Sequence, residues 1–143
     1  MKEIKVAENK TLKLTNVLSR EIHPEEMASL PVVLTQMHNF IKSNNAQPIG
    51  PIVQAMVVGE DRQMHLYMMQ QATQFIGQME QDYHMDAVLR VKNCLYAHYT
   101  GPMPESQLAS YKLQVHAFEN DQKLTGTSYT CLLYTSDAAD DLI

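Results

Sequence analysis

The feature that most constrains this chain is a repeated turn. Residues 44–50 (NNAQPIG) end one helix-like stretch, and residues 120–126 (NDQKLTG) end another. Each turn follows an amphipathic stretch and precedes a strand-like one. Two copies of strand–helix–turn–strand in so short a chain predict a pseudo-symmetric domain. In such a domain we expect the groove between the two halves to bind a ligand.

Length and composition narrow the class of protein. A chain of 143 residues is one domain by length, with 45% apolar and 19% charged residues, as in ordinary globular proteins. The net charge of −5 argues against direct nucleic-acid binding, which needs a basic surface. No apolar run approaches the ~20 residues that span a membrane, and the start lacks the apolar core of a signal peptide. We expect a cytoplasmic protein with no membrane partner.

The end of the chain has an unusual resemblance. Residues 131–141 (CLLYTSDAADD) resemble the translation of transposase-type sequencing-adapter DNA over eleven consecutive positions. We therefore expect a natural domain over residues 1–130 and a probable non-native tail over residues 131–143. The alternative is that the tail is native and disordered. If the tail is non-native, the last strand of the second half is missing or replaced.

The first half has a clear order of elements. Residues 11–22 are rich in β-branched residues and predict a strand. A helix follows, beginning at His23-Pro24 or at Pro31, because proline suits the first helical turn. One apolar stripe at helical spacing comprises Leu30, Val33, Leu34, Met37 and Ile41. Residues 48–51 predict a turn, and residues 52–58 and 63–73 predict a hairpin of two strands.

The second half follows the same order. Residues 85–91 and 95–100 predict strands, separated by a turn at Lys92-Asn93. A second helix has an apolar stripe at Leu108, Tyr111, Val115 and Phe118. A strand begins at Ser128. The predicted class is α+β: a two-fold pseudo-repeat of strand–helix–strand–strand, forming an antiparallel sheet with both helices on one face. The opposite face is then free to form a groove.

Three short motifs resemble a known family. They are residues 95–102 (LYAHYTGP), residues 124–126 (LTG) and residues 47–51 (QPIGP), and two of them occur in the expected order, separated by the expected elements. The chain resembles the GyrI-like domain over residues 5–130. This domain is also called the effector-binding domain of AraC-type and multidrug-responsive regulators.

The resemblance implies a non-enzymatic module that binds lipophilic, often cationic, small molecules. Many members carry a DNA-binding module on the same chain, and others stand alone; with no room for a helix-turn-helix before Thr11, this chain resembles the stand-alone kind. Many members also place a functional glutamate on the strand after the second Gly turn. Here that strand reads Ser128-Tyr129-Thr130, without an acid, so no ligand-binding acid is transferred from the family.

Motifs for catalysis, cofactors and metals are missing. The six histidines form no short-spaced ligand pair, and Cys94 and Cys131 form no metal or disulfide pattern. Cys94 and His98 lie roughly 13 Å apart on a strand, whereas a Cys–His pair needs about 3 Å. No phosphate-binding glycine-rich loop occurs. We therefore predict no metal, no cofactor and no catalytic residue.

Methionine is frequent in the middle of the chain, among several tyrosines. Methionine adapts to varied apolar partners, and aromatic rings stack on flat or cationic ligands. We select Tyr67, Met69, Tyr96 and His98 as candidate ligand-binding residues because strands can hold them on one sheet face. The alternative is that these side chains pack the core.

The sequence leaves three functions open. The first is binding of a lipophilic molecule in the groove. The second is a protein-interaction module, such as an inhibitor of DNA gyrase or a partner of a regulator, which predicts an exposed surface patch. The third is a hydrolase of the GyrI-like superfamily, which needs an acid–base pair in the groove. The sequence alone shows no such pair.

Overall fold

Two strand–helix–strand–strand halves follow one another along the chain. A computed structural model describes residues 6–80, 82–100, 107–124, 126–133 and 139–142, with the backbone alone described at 98–100, 107–109, 131–133 and 139–142. The elements are, in order, β1 (Val6–Ile22), a 3₁₀ helix (Pro24–Ser29), α1 (Leu30–Ser43), β2 (Pro48–Val58), β3 (Met64–Ala72), β4 (Tyr83–Thr100), α2 (Gln107–Glu119), β5 (Ser128–Leu133) and β6 (Ala139–Leu142). The predicted α+β class is confirmed.

The strands form one antiparallel sheet. Strands β1 to β5 lie in the order β4-β1-β3-β2-β5, and the short β6 pairs with both β5 and β4, which closes the sheet into a ring. The residues of β6 belong to the segment that the sequence predicts to be a non-native tail, and they pair where the last strand of the second half is expected. Because α1 packs on the outside of the ring, the opposite sheet face turns inward; we call it the inner face.

Both helices end in the same backbone conformation. A residue in the left-handed region follows each helix: Asn45 (φ 62°) and Asp121 (φ 52°). Asparagine and aspartate tolerate this conformation better than other non-glycine residues. The next amide donates to a carbonyl of the last helical turn, in the bonds Ala46 N to Ile41 O (3.2 Å) and Gln122 N to Ala117 O (2.8 Å). The repeat seen in the sequence therefore corresponds to a repeat in backbone geometry.

Each half also has a glycine in the left-handed region at its next strand, Gly50 near the start of β2 and Gly126 just before β5. Gly50 has φ 73° and Gly126 has φ 88°. A Cβ at Gly126 would lie 3.0 Å from Cγ2 of Val58, and a Cβ at Gly50 would lie 3.2 Å from Nε2 of Gln71. Both positions therefore favour glycine for conformation as well as for space.

The apolar stripe predicted for α1 packs in the larger of two apolar clusters. Val33, Met37 and Ile41 of its stripe are buried, and Leu30 and Leu34 pack against them. They meet the outer sheet face in a group that we call the helix-side cluster: Leu18, Ile22, Val33, Met37, Ile41, Ala46, Ile52, Met68, Ala72, Ile76 and Met85. The rings of Phe40 and Tyr83 add a contact at 4.7 Å between centroids.

Two predicted turns are wrong. Residues 48–51 belong to β2, whose pairing with β3 is irregular between Ile49 and Val53, so the turn-forming residues make a bulge within a strand. Strand β4 runs through Lys92-Asn93 without interruption, because Asn93 takes a left-handed conformation (φ 58°) that bends the strand and does not end it.

The apolar stripe predicted for α2 is wrong at two positions; a third, Val115, is half-buried, and the side chain of Leu108 lies outside the described residues. Tyr111 is 64% exposed and Phe118 is 84% exposed, whereas Ala117 is buried. Nε2 of His116 bonds Glu8 of β1 at 2.6 Å, and the Gln122 amide bonds the same carboxylate at 3.3 Å. These contacts fix the helix in a rotation that directs Phe118 to solvent. Apolar spacing alone cannot distinguish between two such rotations.

Neither helix in the described residues has the length and apolar content that crossing a bilayer requires.

Candidate ligand-binding site

The centre of the inner face is apolar. Strand alternation places Tyr67 and Met69 on this face, opposite to Met68 of the helix-side cluster. The buried residues here, which we call the inner cluster, are Leu12, Leu14, Val17, Val53, Ala55 and Tyr129, packed against Tyr67, Met69, Leu89 and Val91. Five strands contribute to it, so both halves of the chain build this face.

The structure brings two of the four predicted site residues together. Met69 lies on β3 between Val53 of β2 and Ser19 of β1. Tyr67 lies two positions earlier, between Ala55 and Glu21. Both side chains are half-buried, so each has an apolar environment and a remaining accessible surface.

The other two predicted residues lie on β4. Tyr96 is half-buried and pairs with Ala7 near the start of β1, whereas Tyr67 pairs with Glu21 near its end. The backbone of His98 pairs with Asp141 of β6, and the His98 side chain lies outside the described part of the structure. Tyr67 and Met69 thus lie side by side on one face of β3, whereas Tyr96 lies on a different strand, β4. The four-residue set remains a prediction.

A polar network borders Tyr67, and sequence reasoning missed it. Nδ1 of His65 lies 2.7 Å from Oε1 of Glu21, and its Nε2 lies 3.1 Å from Oδ2 of Asp61. The three residues come from β3, β1 and the turn before β3. Alternation along β1 places Glu21 on the face of Val17 and Ser19, but only the β1–β3 register shows that Glu21 meets Tyr67. No local sequence signal reports that pairing.

The network shifts the protonation of its members. The hydrogen bond to Glu21, and then the one to Asp61, raise the pKa of His65 above its usual value. The amide of Gln63, and then the His65 ring, lower the pKa of Asp61. Burial, followed by the charge of Glu21 and a hydrogen bond to it, raises the pKa of Tyr67. When His65 is protonated, its one positive charge and the two carboxylates give a net charge of about −1 beside the Tyr67 ring.

The hydrolase alternative needs an acid–base pair. Both ring nitrogens of His65 are bonded to carboxylates, Nδ1 to Glu21 and Nε2 to Asp61, so neither nitrogen is left to exchange a proton with a substrate in this arrangement. Hydrolysis itself remains a prediction. Among the described residues, no three His, Cys, Asp or Glu side chains converge as metal ligands.

A cavity lies on the other side of the sheet. It has a volume of about 460 Å³ and is lined by residues of α1, by Arg20, and by Glu80, Asp82 and Tyr83. The Arg20 guanidinium is held there by Glu26, with 2.6 Å between Nη2 and Oε2. Its lining is mainly polar, with the Phe40–Tyr83 ring pair on one side. It is therefore distinct from the apolar inner face.

No family model matches this sequence, and no curated protein matches it. Solved structures do share its fold. The chain is similar to EcmrR in an EcmrR–DNA complex (14% identity, TM-score 0.71), covering 97% of this chain and 56% of that one. It is also similar to the EcmrR C-terminal domain (11% identity, TM-score 0.61; 98% of this chain, 94% of that one).

A third similar structure contains a ligand. It is SAV2435 bound to tetraphenylphosphonium, with 12% identity, a TM-score of 0.52, and coverage of 99% of this chain and 92% of that one. At such identities the likeness shows the fold alone. The chain spans about half of the EcmrR chain in the DNA complex.

Proposed function

We propose that this chain binds a lipophilic small molecule on the inner face, in the groove between the two halves, without catalysing a reaction. The observation that carries the proposal is the half-buried Tyr67–Met69 pair on an apolar face built by both halves. The fold shared with SAV2435, whose structure holds tetraphenylphosphonium, supports the same kind of ligand for this chain.

The proposed binding residues are Tyr67, Met69, Tyr96 and His98. Burial of apolar ligand surface contributes about 25 cal/mol per Å², before the costs of association are subtracted. Methionine adapts its shape to different ligands, and tyrosine offers a flat ring with a polar end. In this proposal residues 1–130 form the binding domain, and residues 131–143 are a tail that supplies β6.

A binding experiment with a matched control tests the proposal. Tetraphenylphosphonium and neutral triphenylphosphine oxide serve as probes, with binding followed by calorimetry and by thermal shift. A ligand at one hundred times its Kd stabilises the folded chain by roughly 2.7 kcal/mol, which is measurable as a higher Tm. We expect Tyr67→Ala to weaken binding about tenfold, equivalent to about 1.4 kcal/mol of lost contact.

The control is Tyr111→Ala, which removes the same ring from an exposed position on α2. It should leave the Kd unchanged. Equal affinities of the wild type and Tyr67→Ala would remove Tyr67 from the site. No response to either probe would contradict small-molecule binding of this kind.

A second function, protein interaction, is favoured by a different observation. Tyr111 and Phe118 lie two helical turns apart and expose their rings on α2. DNA gyrase is the partner to test first, by adding the chain to a supercoiling assay. Inhibition that Phe118→Ala abolishes, with ligand binding intact, would establish a protein-interaction function that is separate from the ligand site.

A further inference from the structure

The polar cavity beside α1, which we call the α1 cavity, contains hydrogen-bonding groups that the protein does not use. The side chains of Gln36, Asn39, Glu80 and Asp82 line it, and all four residues are exposed. None of these side chains forms a hydrogen bond with another residue in the described part of the chain. The volume of about 460 Å³ lies within the range of small-molecule sites, roughly 300–1,000 Å³.

One wall of the α1 cavity is a polar face of the helix. Gln36, Asn39 and Ser43 follow one another at spacings of three and four, so they lie on one face of α1. The Ser43 hydroxyl donates to the Phe40 carbonyl at 2.9 Å. The side-chain amides of Gln36 and Asn39 stay free, and each of them both donates and accepts hydrogen bonds. A rigid element therefore presents two amides to the cavity.

The opposite wall combines carboxylates with a flat apolar surface. The Tyr83 amide donates to the Glu80 carbonyl at 3.1 Å, a turn that brings Glu80, Asp82 and Tyr83 together. Burial raises the pKa of Tyr83, the charge of Arg20 opposes this shift, and the charges of Glu80 and Asp82 add to it. The Tyr83 ring lies 4.7 Å from the Phe40 ring, between centroids. This wall thus offers acceptors beside an aromatic surface.

The charges around the α1 cavity disfavour ionic ligands. Nη2 of Arg20 is held by Glu26 at 2.6 Å, and Nη1 is buried without a partner among the described residues. The guanidinium therefore has no free pair of donors for an anion, which the carboxylates of Glu80 and Asp82 would also repel. A cation would be repelled by Arg20 and would leave the N–H groups of the α1 amides without an acceptor.

We infer that the α1 cavity binds a neutral polyhydroxyl ligand of the hexose class. Hydroxyl groups would donate to the carboxylates of Glu80 and Asp82 and accept from the amides of Gln36 and Asn39. The C–H groups of the sugar ring would pack on the Tyr83 ring, whose face is negative. This site is separate from the inner face and does not depend on the proposed function.

The test is binding of three neutral hexoses, D-glucose, D-galactose and D-mannose, to the full chain. Saturation-transfer NMR detects the contact, and calorimetry gives the affinity. We expect at least one hexose to bind with a Kd on the order of 1 mM, as a small polar ligand allows. Its 6-phosphate ester should bind at least about tenfold more weakly, because the phosphate faces two carboxylates.

A matched pair of glutamine variants locates the site. Gln36→Ala removes an amide from the α1 cavity and should weaken hexose binding about tenfold. Gln114→Ala is the control, because Gln114 is also an exposed glutamine on a helix and its side chain bonds no other described residue. It should leave the Kd unchanged. Asp82→Asn should reduce the discrimination against the 6-phosphate, since it removes one of the two repelling charges.

The outcomes separate this inference from the proposed function. Absence of binding by all three hexoses overturns the inference, as does an equal loss of affinity in Gln36→Ala and Gln114→Ala. Binding of D-glucosamine without binding of any neutral hexose also overturns it, because the ligand would then be cationic. A hexose affinity that falls in Tyr67→Ala would place the sugar on the inner face and contradict the α1 cavity. Gln36→Ala should bind tetraphenylphosphonium as the wild type does, so either proposal can fail alone.

Discussion

The two halves of this molecule share an order of elements and the backbone conformation at their helix ends, and they differ in what their helices bury. Helix α1 buries Val33, Met37 and Ile41 against the sheet. Among the α2 side chains described, those at 110–119, only Ala117 is buried, and Phe118 is 84% exposed. The helix ends and the following glycines nevertheless match. The repeat therefore determines the path of the chain, whereas the side chains determine how tightly each half packs.

The polar contacts of the two halves also differ, in how well they are shielded from solvent. In the first half, Arg20 and Glu26 join β1 to the 3₁₀ helix at 2.6 Å with little exposure of the arginine. In the second half, His116 and Glu8 join α2 to β1 at the same distance in a more exposed pair. The first half thus combines a deep apolar contact with a shielded ion pair. We expect it to contribute most of the stability.

The largest effect is expected when one apolar side chain in each helix is truncated and the two losses of stability are compared. Ile41→Ala leaves a cavity in the helix-side cluster and should cost about 2–5 kcal/mol. Phe118→Ala removes an exposed ring and should change stability by less than about 0.5 kcal/mol. Urea unfolding at equilibrium measures both free energies. Similar costs for the two variants would show that α2 packs as tightly as α1.

A smaller effect is expected at the paired glycines. Gly126→Ala places a methyl 3.0 Å from the stiff β-branched Val58, in a left-handed conformation, and should cost about 2–3 kcal/mol. Gly50→Ala meets only the flexible end of Gln71 and should cost about 1–2 kcal/mol. The same unfolding experiment ranks them. The reverse order would mean that the second half has more freedom to adjust than the first.

The smallest effect is expected on the stability of the folded chain at acidic pH. The His23 amide, and then Arg20, hold the pKa of Glu26 below its usual 4.5. Its contribution to stability is therefore complete above that value and disappears as pH falls through the lowered pKa. In Glu26→Gln, the urea midpoint should decline less steeply in acid than in the wild type. An unchanged slope would show that the Arg20–Glu26 pair gives the first half no pH-dependent stability.

Local signals in the sequence predicted the elements that local physics controls. The stripe from Leu30 to Ile41 and the turns after both helices could be predicted, because helical periodicity and helix capping depend only on residues close together in the chain. The continuity of β4 through Asn93 could not be predicted, since asparagine serves equally in a turn and in a bent strand. The rotation of α2 depends on Glu8, more than a hundred positions away in the chain.

The candidate site divides in the same way. Tyr67 and Met69 could be predicted as a pair because alternate residues of one strand share a face. Glu21 and His65 could not, because their contact depends on which strands become neighbours and in which register. The charged residues of the site are therefore those that could not be identified from the sequence alone.

Strand β6 has a consequence for self-association. Its four residues form the seam that joins β4 to β5, and backbone hydrogen bonds make that seam without requiring particular side chains. Any extended peptide of suitable length could occupy the same slot. A chain shortened before residue 139 would present two unpaired strand edges to its neighbours, and such edges readily recruit other chains. The last few residues thus decide whether the ring is complete within one molecule or is completed by another.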